Sequence, residues 1–289
     1  MAPGIRYYDC SANDPAVHVV TIDRTVPQMH LQVLAQPNGD PNKQPGIIGD
    51  PNKQPGTMNL RTLQTLGDMN NAIVAINGFY WGPEDQKGYW CSMPTYKCEE
   101  GTPTTPVFLD GLNVGASPSD NYVLMGFTVD DSGIQAKRIP NNELFNPENK
   151  PYRQWMYGSE KTVMRDGVFD SSGTDNKPTK LSILGYSDRY IIFLISESDS
   201  LRKELSSTLS AFGTTDAVLN DGGPSAELYI HGKPLIDPTG FSRKIAYGIG
   251  LVPGLPKGIT VRVPGSTNAE EHRQELENAR EQPPRHGLP

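Results

Sequence analysis

Cysteine is scarce in this chain: Cys10, Cys91 and Cys98 are the only three among 289 residues. An odd count excludes a fully paired disulfide framework within the chain. Cys91 and Cys98 share one loop and are spaced for a local disulfide, while free thiols in a reducing compartment fit equally well. No histidine lies near that pair, so a zinc site there is unsupported. Long apolar runs are missing too. The longest, Tyr190 to Ile195 (YIIFLI), has the length of a strand, far from the ~20 residues a membrane-spanning helix needs. Basic runs and aromatic–basic interleaving are absent, and the net charge is −7, which argues against nucleic acid as a partner. The opening stretch MAPGIRYYDC lacks the charged start and apolar segment of a signal peptide. Retention inside (cytoplasmic or virion-associated) and export after removal of a leader both fit.

What the chain does have is turn formers. It carries 29 glycines and 26 prolines, with 36% apolar and 20% charged residues. That is a globular composition rich in turns, and not that of a helical bundle. The length suits one large domain or two ordinary ones.

Two segments near the start, Ala16–Thr25 and Met29–Gln36, alternate apolar and polar residues and predict a hairpin turning at Thr25–Gln28. The octapeptide GDPNKQPG then occurs twice, at 39–46 and 49–56. Two polar, Pro/Gly-rich copies read as an enlarged exposed loop. A helix is expected within Met58–Met69, followed by strand Ala72–Ile76. Further strands are predicted at Pro106–Gly111, Asn121–Asp130, Gly133–Ile139, Lys161–Phe169, Lys180–Tyr186 and Tyr190–Glu197. A polar loop separates Ile139 from Lys161. The clearest helix is DSLRKELSSTLSAFG, in which Leu201, Leu205, Leu209 and Phe212 mark one face. Asp199 or Ser200 would cap its start and Gly213 its end. Strand Asp216–Asn220 follows, and the connection length suits a right-handed parallel crossover from Tyr190–Ile195. Lys244–Pro253 and Gly258–Pro264 read as closing strands. The expected fold is α/β (α+β): one domain around a mixed, curved β-sheet with few helices. Residues 1–57 would contribute the N-terminal hairpin and repeat loop, 58–264 the main domain, and 265–289 a polar flexible tail.

Several polar residues fall at the ends of these strands. Asn77 follows Ala72–Ile76, Glu197 follows Tyr190–Ser196, and Asp221 follows Asp216–Asn220. If the last two strands run parallel, their ends share one edge. Lys180, at the start of the strand antiparallel to Tyr190–Ser196, lies near that edge as well. Carboxylates at strand ends beside a cation are a common active-site arrangement. Gly222 and Gly223 permit close backbone approach to an anion, and Ser225 adds a hydroxyl. Each residue also has a plainer reading. Asp-Gly, Gly-Pro and Asn-Gly are turn dipeptides, Glu197 could serve the following helix, and Lys180 could be a surface lysine.

With the motifs in chain order, a resemblance appears. The segment AINGFYW, Ala75 to Trp81, resembles the strand-and-turn element of the phosphodiester glycosidase family. NDGGPSAELYI, Asn220 to Ile230, is similar to that family's LDGG-[GP]-S signature. KPTKLSIL sits where the family has its P-[RT]-x block, and FLISE matches the strand before the signature. YGSEKTVMRDGVF resembles an upstream hairpin, and RKIAYGIGLVP the closing strand. The match runs in order from Ala72 to Pro253. Two departures stand out: Leu219-Asn220 invert the usual order before the aspartate, and Lys180 stands for the common arginine.

The resemblance implies hydrolysis of a sugar-1-phosphodiester or related glycosidic linkage on a glycan, hence a carbohydrate or sugar-phosphate substrate. It implies Asp221 as the essential carboxylate with Glu197 as its partner. Lys180 and the amides of Gly222 and Gly223 would face the phosphate. Asn77 and Ser225 would orient sugar or phosphate oxygens, and Tyr80 and Trp81 would stack on a sugar ring. No cofactor is implied. A divalent cation such as Ca²⁺ near Asp221 is compatible with the chemistry, but ligand spacing does not indicate one. The same motifs fit a catalytically inactive carbohydrate-binding or structural module, or an ordinary polysaccharide glycosidase.

Overall fold

The computed structural model describes residues 2–37, 57–82 and 99–256, apart from 117, 120, 121, 160, 173–176 and 241. The Cys91–Cys98 loop, most of the octapeptide repeat, the expected strand at 258–264 and the tail at 265–289 lie outside the described residues. Cys10 is a free, half-buried thiol.

The domain is α+β and dominated by strands. Only two α-helices occur among the described residues: α1, Leu63–Met69, and α2, Arg202–Ala211. A seven-stranded sheet runs in the order Ile5–Cys10, Val17–Asp23, Tyr190–Ser196, Ser182–Tyr186, Asp216–Leu219, Thr162–Arg165, Val168–Phe169. A four-stranded sheet (Leu228–Ile230, Val74–Asn77, Tyr247–Pro253, Met29–Ala35) and a five-stranded one centred on Val123–Asp130 and Trp155–Ser159 complete the main layers. A small fourth sheet of three strands contains Trp81–Gly82.

Burial explains the sequence pattern. The run Ile191–Ile195 is apolar throughout because both faces of its sheet are covered. On one face Val20, Ile22, Leu184, Phe193 and Val218 join the main core with the other sheets. On the opposite face Val17, Val19, Ile183, Ile192 and Leu194 pack under Leu205 and Leu209 of α2. That helix begins one to two residues later than its expected caps. Leu201 stands at the N-cap, and its amide donates to the Glu204 carboxylate at 2.7 Å, so an acid in the first turn replaces the Asp199 or Ser200 cap.

Two expectations are corrected. Val17–Asp23 and Met29–Ala35 do not pair with each other. The first pairs with Ile5–Cys10 and Tyr190–Ser196, the second with Tyr247–Pro253. The N-terminal hairpin is therefore Ile5–Cys10 with Val17–Asp23. Val17–Asp23 and Met29–Ala35 each take a partner from the C-terminal half instead, Tyr190–Ser196 for the first and Tyr247–Pro253 for the second. Second, Tyr190–Ser196 and Asp216–Leu219 run in the same direction but are not adjacent: Ser182–Tyr186 lies between them, antiparallel to both. All strand ladders among the described residues are antiparallel. The C-terminal ends of the two strands still open on one edge of the sheet, as expected, separated by two strand spacings, about 9–10 Å.

Candidate active site

A cavity of about 690 Å³ opens at that edge. Its walls come from the ends of Asp216–Leu219 and Ser182–Tyr186, the start of α2, the turn after Val74–Asn77, and the segment before Tyr247–Pro253. Asp221 lines it with Gly222, Gly223 and Pro224, facing Phe79 and Tyr80. The basic residues Lys161, Lys177, Arg202 and Arg243 also line it. Asp221 is the one acidic residue among the described lining residues.

Asp221 is only 6% exposed. Burial pushes its carboxyl up to about 6, against the opposing pull of the Ser225 hydroxyl, the Arg243 guanidinium and the Gly222 amide. Arg243 Nη1 stands 3.9 Å from Asp221 Oδ2 and donates to Ser225 Oγ at 3.0 Å. The guanidinium rests over the Trp81 ring, 5.2 Å from its centroid. Arg243 is thus held on one side by an aromatic face and on the other by the Asp221–Ser225 pair.

The two glycines are required by the turn itself. A Cβ on Gly222 would lie 2.5 Å from the Lys180 carbonyl oxygen, and Gly223 has a φ of +58°. The Gly223 amide donates to that same carbonyl at 2.9 Å, while the Gly222 amide serves the Asp221 carboxylate. The glycines therefore place Asp221 at the wall, and their amides are already engaged within the protein.

Asn77 is fully buried and lies outside the cavity wall. Its Nδ2 donates to the Asp221 carbonyl at 2.7 Å and to the Gly78 carbonyl at 3.1 Å. Its Oδ1 accepts the Glu227 amide at 3.2 Å. The Asp221 amide in turn donates to the Gly78 carbonyl at 2.9 Å. Asn77 holds the peptide that carries Asp221, and its side chain does not line the cavity. Ser225, buried, bonds Arg243 and Asp221. Tyr80 lines the cavity and is half exposed, whereas Trp81 is buried behind Arg243.

Glu197 and Lys180 are not brought into the cavity wall. The Glu197 side chain, 44% exposed, lies 3.8 Å from His18 Nε2. His18 belongs to the neighbouring strand Val17–Asp23, on the far side of Tyr190–Ser196 from Asp221. The Lys180 ammonium donates to the Glu197 carbonyl, fastening two strand ends together. The intervening strand accounts for both: it sets the two acids two spacings apart, and Glu197 finds its partner outward.

Sequence reasoning missed Arg243, Arg202, Lys161 and Lys177. Arg243 was legible only as the basic pair Arg243-Lys244 before the closing strand. Arg202, buried at the first turn of α2, donates to the Thr162 carbonyl at 2.5 Å and reads in sequence as a helix-surface residue. Among the described residues no group of three or more His, Cys, Asp or Glu side chains gathers as a metal site, and no helix is long and apolar enough to cross a membrane.

The sequence profile of the phosphodiester glycosidase family matches residues 70–252. The fold is similar to the catalytic domain of zebrafish N-acetylglucosamine-1-phosphodiester α-N-acetylglucosaminidase, solved auto-inhibited by its pro-peptide. The TM-score is 0.55 at 14% identity, covering 86% of this chain and 81% of that one. A protein of Burkholderia pseudomallei K96243 is similar at a TM-score of 0.52 and 11% identity, over 82% of this chain and 74% of that one. At these identities the likeness is one of fold. No curated protein sequence matches the chain.

Proposed function

Because the chain belongs to the phosphodiester glycosidase family, we propose that it is a hydrolase that cleaves a sugar-1-phosphodiester, freeing the sugar from a phosphate-linked partner. The observation that carries this reading is the composition of the cavity wall: one carboxylate, Asp221, among four basic side chains. An ordinary glycosidase works with two carboxyl groups flanking the bond, one of them protonating a poor alcohol leaving group. A phosphate monoester leaves far more readily, because it carries its negative charge near neutral pH without needing a proton. A cavity with one acid and several cations suits that leaving group better than an alcohol.

In this reading, ionised Asp221 takes a proton from the attacking water. The water oxygen bonds to the anomeric carbon as the bond from that carbon to the phosphate oxygen breaks, and the electron pair leaves with the phosphate. Arg243 takes up the charge developing on the phosphate, and Lys161, Lys177 and Arg202 make the rest of the wall favourable to an anion. Tyr80, exposed at the wall, offers a ring face for a sugar. Asn77 and Ser225 position Asp221 and Arg243. Glu197 and Lys180 stay outside the reaction.

The test is a comparison of two substrates with the wild-type protein: a chromogenic sugar-1-phosphodiester and the matching plain aryl glycoside. Turnover of the phosphodiester alone is expected. Turnover of only the plain glycoside would overturn the phosphodiester assignment. Binding of glycan without turnover of either would favour a carbohydrate-binding module.

A further inference from the structure

One buried acid takes no part in the chemistry above. Glu227 is fully buried and follows the 3₁₀ turn that carries Ser225. Its Oε1 accepts the backbone amide of Arg243 at 2.9 Å. The Ser242 hydroxyl and the Leu63 amide approach the same carboxyl, and Asp237 faces it with like charge. Burial pushes the group up to about 7. Oε2 has no hydrogen-bond partner among the described residues. A buried acid is costly to keep, and an apolar side chain would fill the same space in a run that otherwise reads Ala226, Leu228, Tyr229, Ile230.

Its connections close a circuit. The Glu227 amide donates to Asn77 Oδ1 at 3.2 Å, and Asn77 Nδ2 donates to the Asp221 carbonyl at 2.7 Å. At the other end the Glu227 carboxyl holds the Arg243 amide, and the Arg243 guanidinium faces the Asp221 carboxylate at 3.9 Å. Asp221 is thus gripped twice: at its backbone through Asn77 and at its carboxyl through Arg243. Glu227 is the residue common to both grips. Two residues further on, the Ile245 amide donates to the Arg61 carbonyl at 2.7 Å, where the chain enters the closing strand.

We propose that Glu227 is a positioning residue: by holding the Arg243 backbone it sets the guanidinium against Asp221, and by its own amide it holds Asn77 against the peptide that carries Asp221. The proposal rests on the reading in which Asp221 and Arg243 serve the reaction, but its geometric content can be measured without turnover.

The experiment compares Glu227→Gln with Glu227→Met in the full chain. Glutamine keeps an acceptor for the Arg243 amide, while methionine keeps the volume and removes the acceptor. Two readouts are taken: kcat against pH on the sugar-1-phosphodiester, and the titration of the Asp221 carboxyl by ¹³C NMR. The groups that face Asp221 are Arg243, Ser225, the Gly222 amide and Tyr247. Loosening Arg243 removes an attraction for the ionised form, so the Asp221 titration moves upward. In Glu227→Met an upward shift of about half a unit or more is expected, with kcat down by roughly 10²-fold. In Glu227→Gln the titration stays near that of the wild type and most of the activity returns. A folded methionine variant with unmoved Asp221 titration overturns the proposal. So does a glutamine variant whose titration shifts upward as far as that of methionine, since an acceptor for the Arg243 amide would then make no difference, and loss of the Glu227 charge alone would move the titration downward. Should methionine not fold, the glutamine variant decides against the wild type: an upward Asp221 shift of about half a unit or more, with an acceptor for the Arg243 amide still in place, overturns the proposal. If Asp221 shifts as expected while neither variant nor wild type cleaves the phosphodiester, the positioning stands and the functional reading fails.

Discussion

Two strands of the seven-stranded sheet end on the same edge, each followed by an acid, and the acids meet different fates. Asp221 follows Asp216–Leu219, is 6% exposed, and lines a cavity among cations. Glu197 follows Tyr190–Ser196, is about half exposed, and leans toward His18. Strand direction puts both at one edge; the strand between them keeps them out of one site. What separates the two ends is the chain that follows. After Glu197 the chain turns into α2, and the acid keeps about half of its side chain open to solvent. After Asp221 come two glycines and a proline, whose turn is fastened to the Lys180 carbonyl and to Asn77 and then covered by Arg243. A carboxylate becomes chemically distinctive when later chain buries it beside a cation, not when its strand points the right way.

The sharpest way to break this comparison is to remove each charge in turn. Asp221→Asn should lower kcat/KM on a sugar-1-phosphodiester by about 10³-fold or more, and Glu197→Gln should stay within about twofold, as expected of a surface ion pair. Equal losses would return Glu197 to the site and sink the one-carboxylate reading. The cations give a second contrast of smaller size. Arg243→Ala should cost about 10²-fold and move the Asp221-dependent limb of the pH profile to higher pH, because the guanidinium holds that carboxyl down from where burial would otherwise put it. Activity is expected to rise through about pH 6 in the wild type and later in the variant. Lys180→Met should leave the limb in place, since the lysine serves the Glu197 carbonyl. A shift in the Lys180 variant as large as that in the arginine variant would contradict the placement of the two side chains.

The same contrast shows how far the sequence could be read. Individual strands were legible because their local pattern is strong: Gly133–Ile139 has the bounds expected of it, and the apolar run Ile191–Ile195 marks a strand covered on both faces. Partners were not legible where they are remote. Val17 pairs with Ser196 and Met29 with Pro253, and alternation within Ala16–Gln36 carries no information about either. Trp155–Ser159 was hidden behind three short 3₁₀ turns that read as polar loop. Within the site, Asp221 stood out because the Asp-Gly-Gly-Pro turn interrupts a buried strand. Arg243 did not, because GFSRK has the composition of an exposed loop and its burial comes from packing on Trp81, far away in sequence. Glu227 carried a faint signal, a lone acid inside SAELYI, that pairing with the remote Arg243 amide explains. Charge signs and strand ends are local properties; which charge faces which is decided by long-range packing.

The smallest expected effect separates the two acids by stability alone. The Asp221 carboxyl is raised from 3.8 in the free side chain to about 6 in the folded protein. Between about pH 4 and pH 6 the native state therefore holds a proton that the unfolded chain has released, and the contribution of this group to stability falls as pH rises through that window. Above it the loss is complete, at most about 3 kcal/mol. Asp221→Asn removes a charge that is costly to bury, so at pH 7.5 the inactive variant should melt a few degrees above the wild type, and near pH 4 the gain should vanish. Glu197→Gln, at a half-exposed position with a weak partner, should move the melting temperature by less than about 1 °C at either pH. Calorimetry of the three proteins at both values is the measurement. If Asp221→Asn is no more stable than the wild type at pH 7.5, the burial of that carboxylate is not a cost the fold bears for its chemistry, and the difference between the two strand ends reduces to which of them a cavity happens to adjoin.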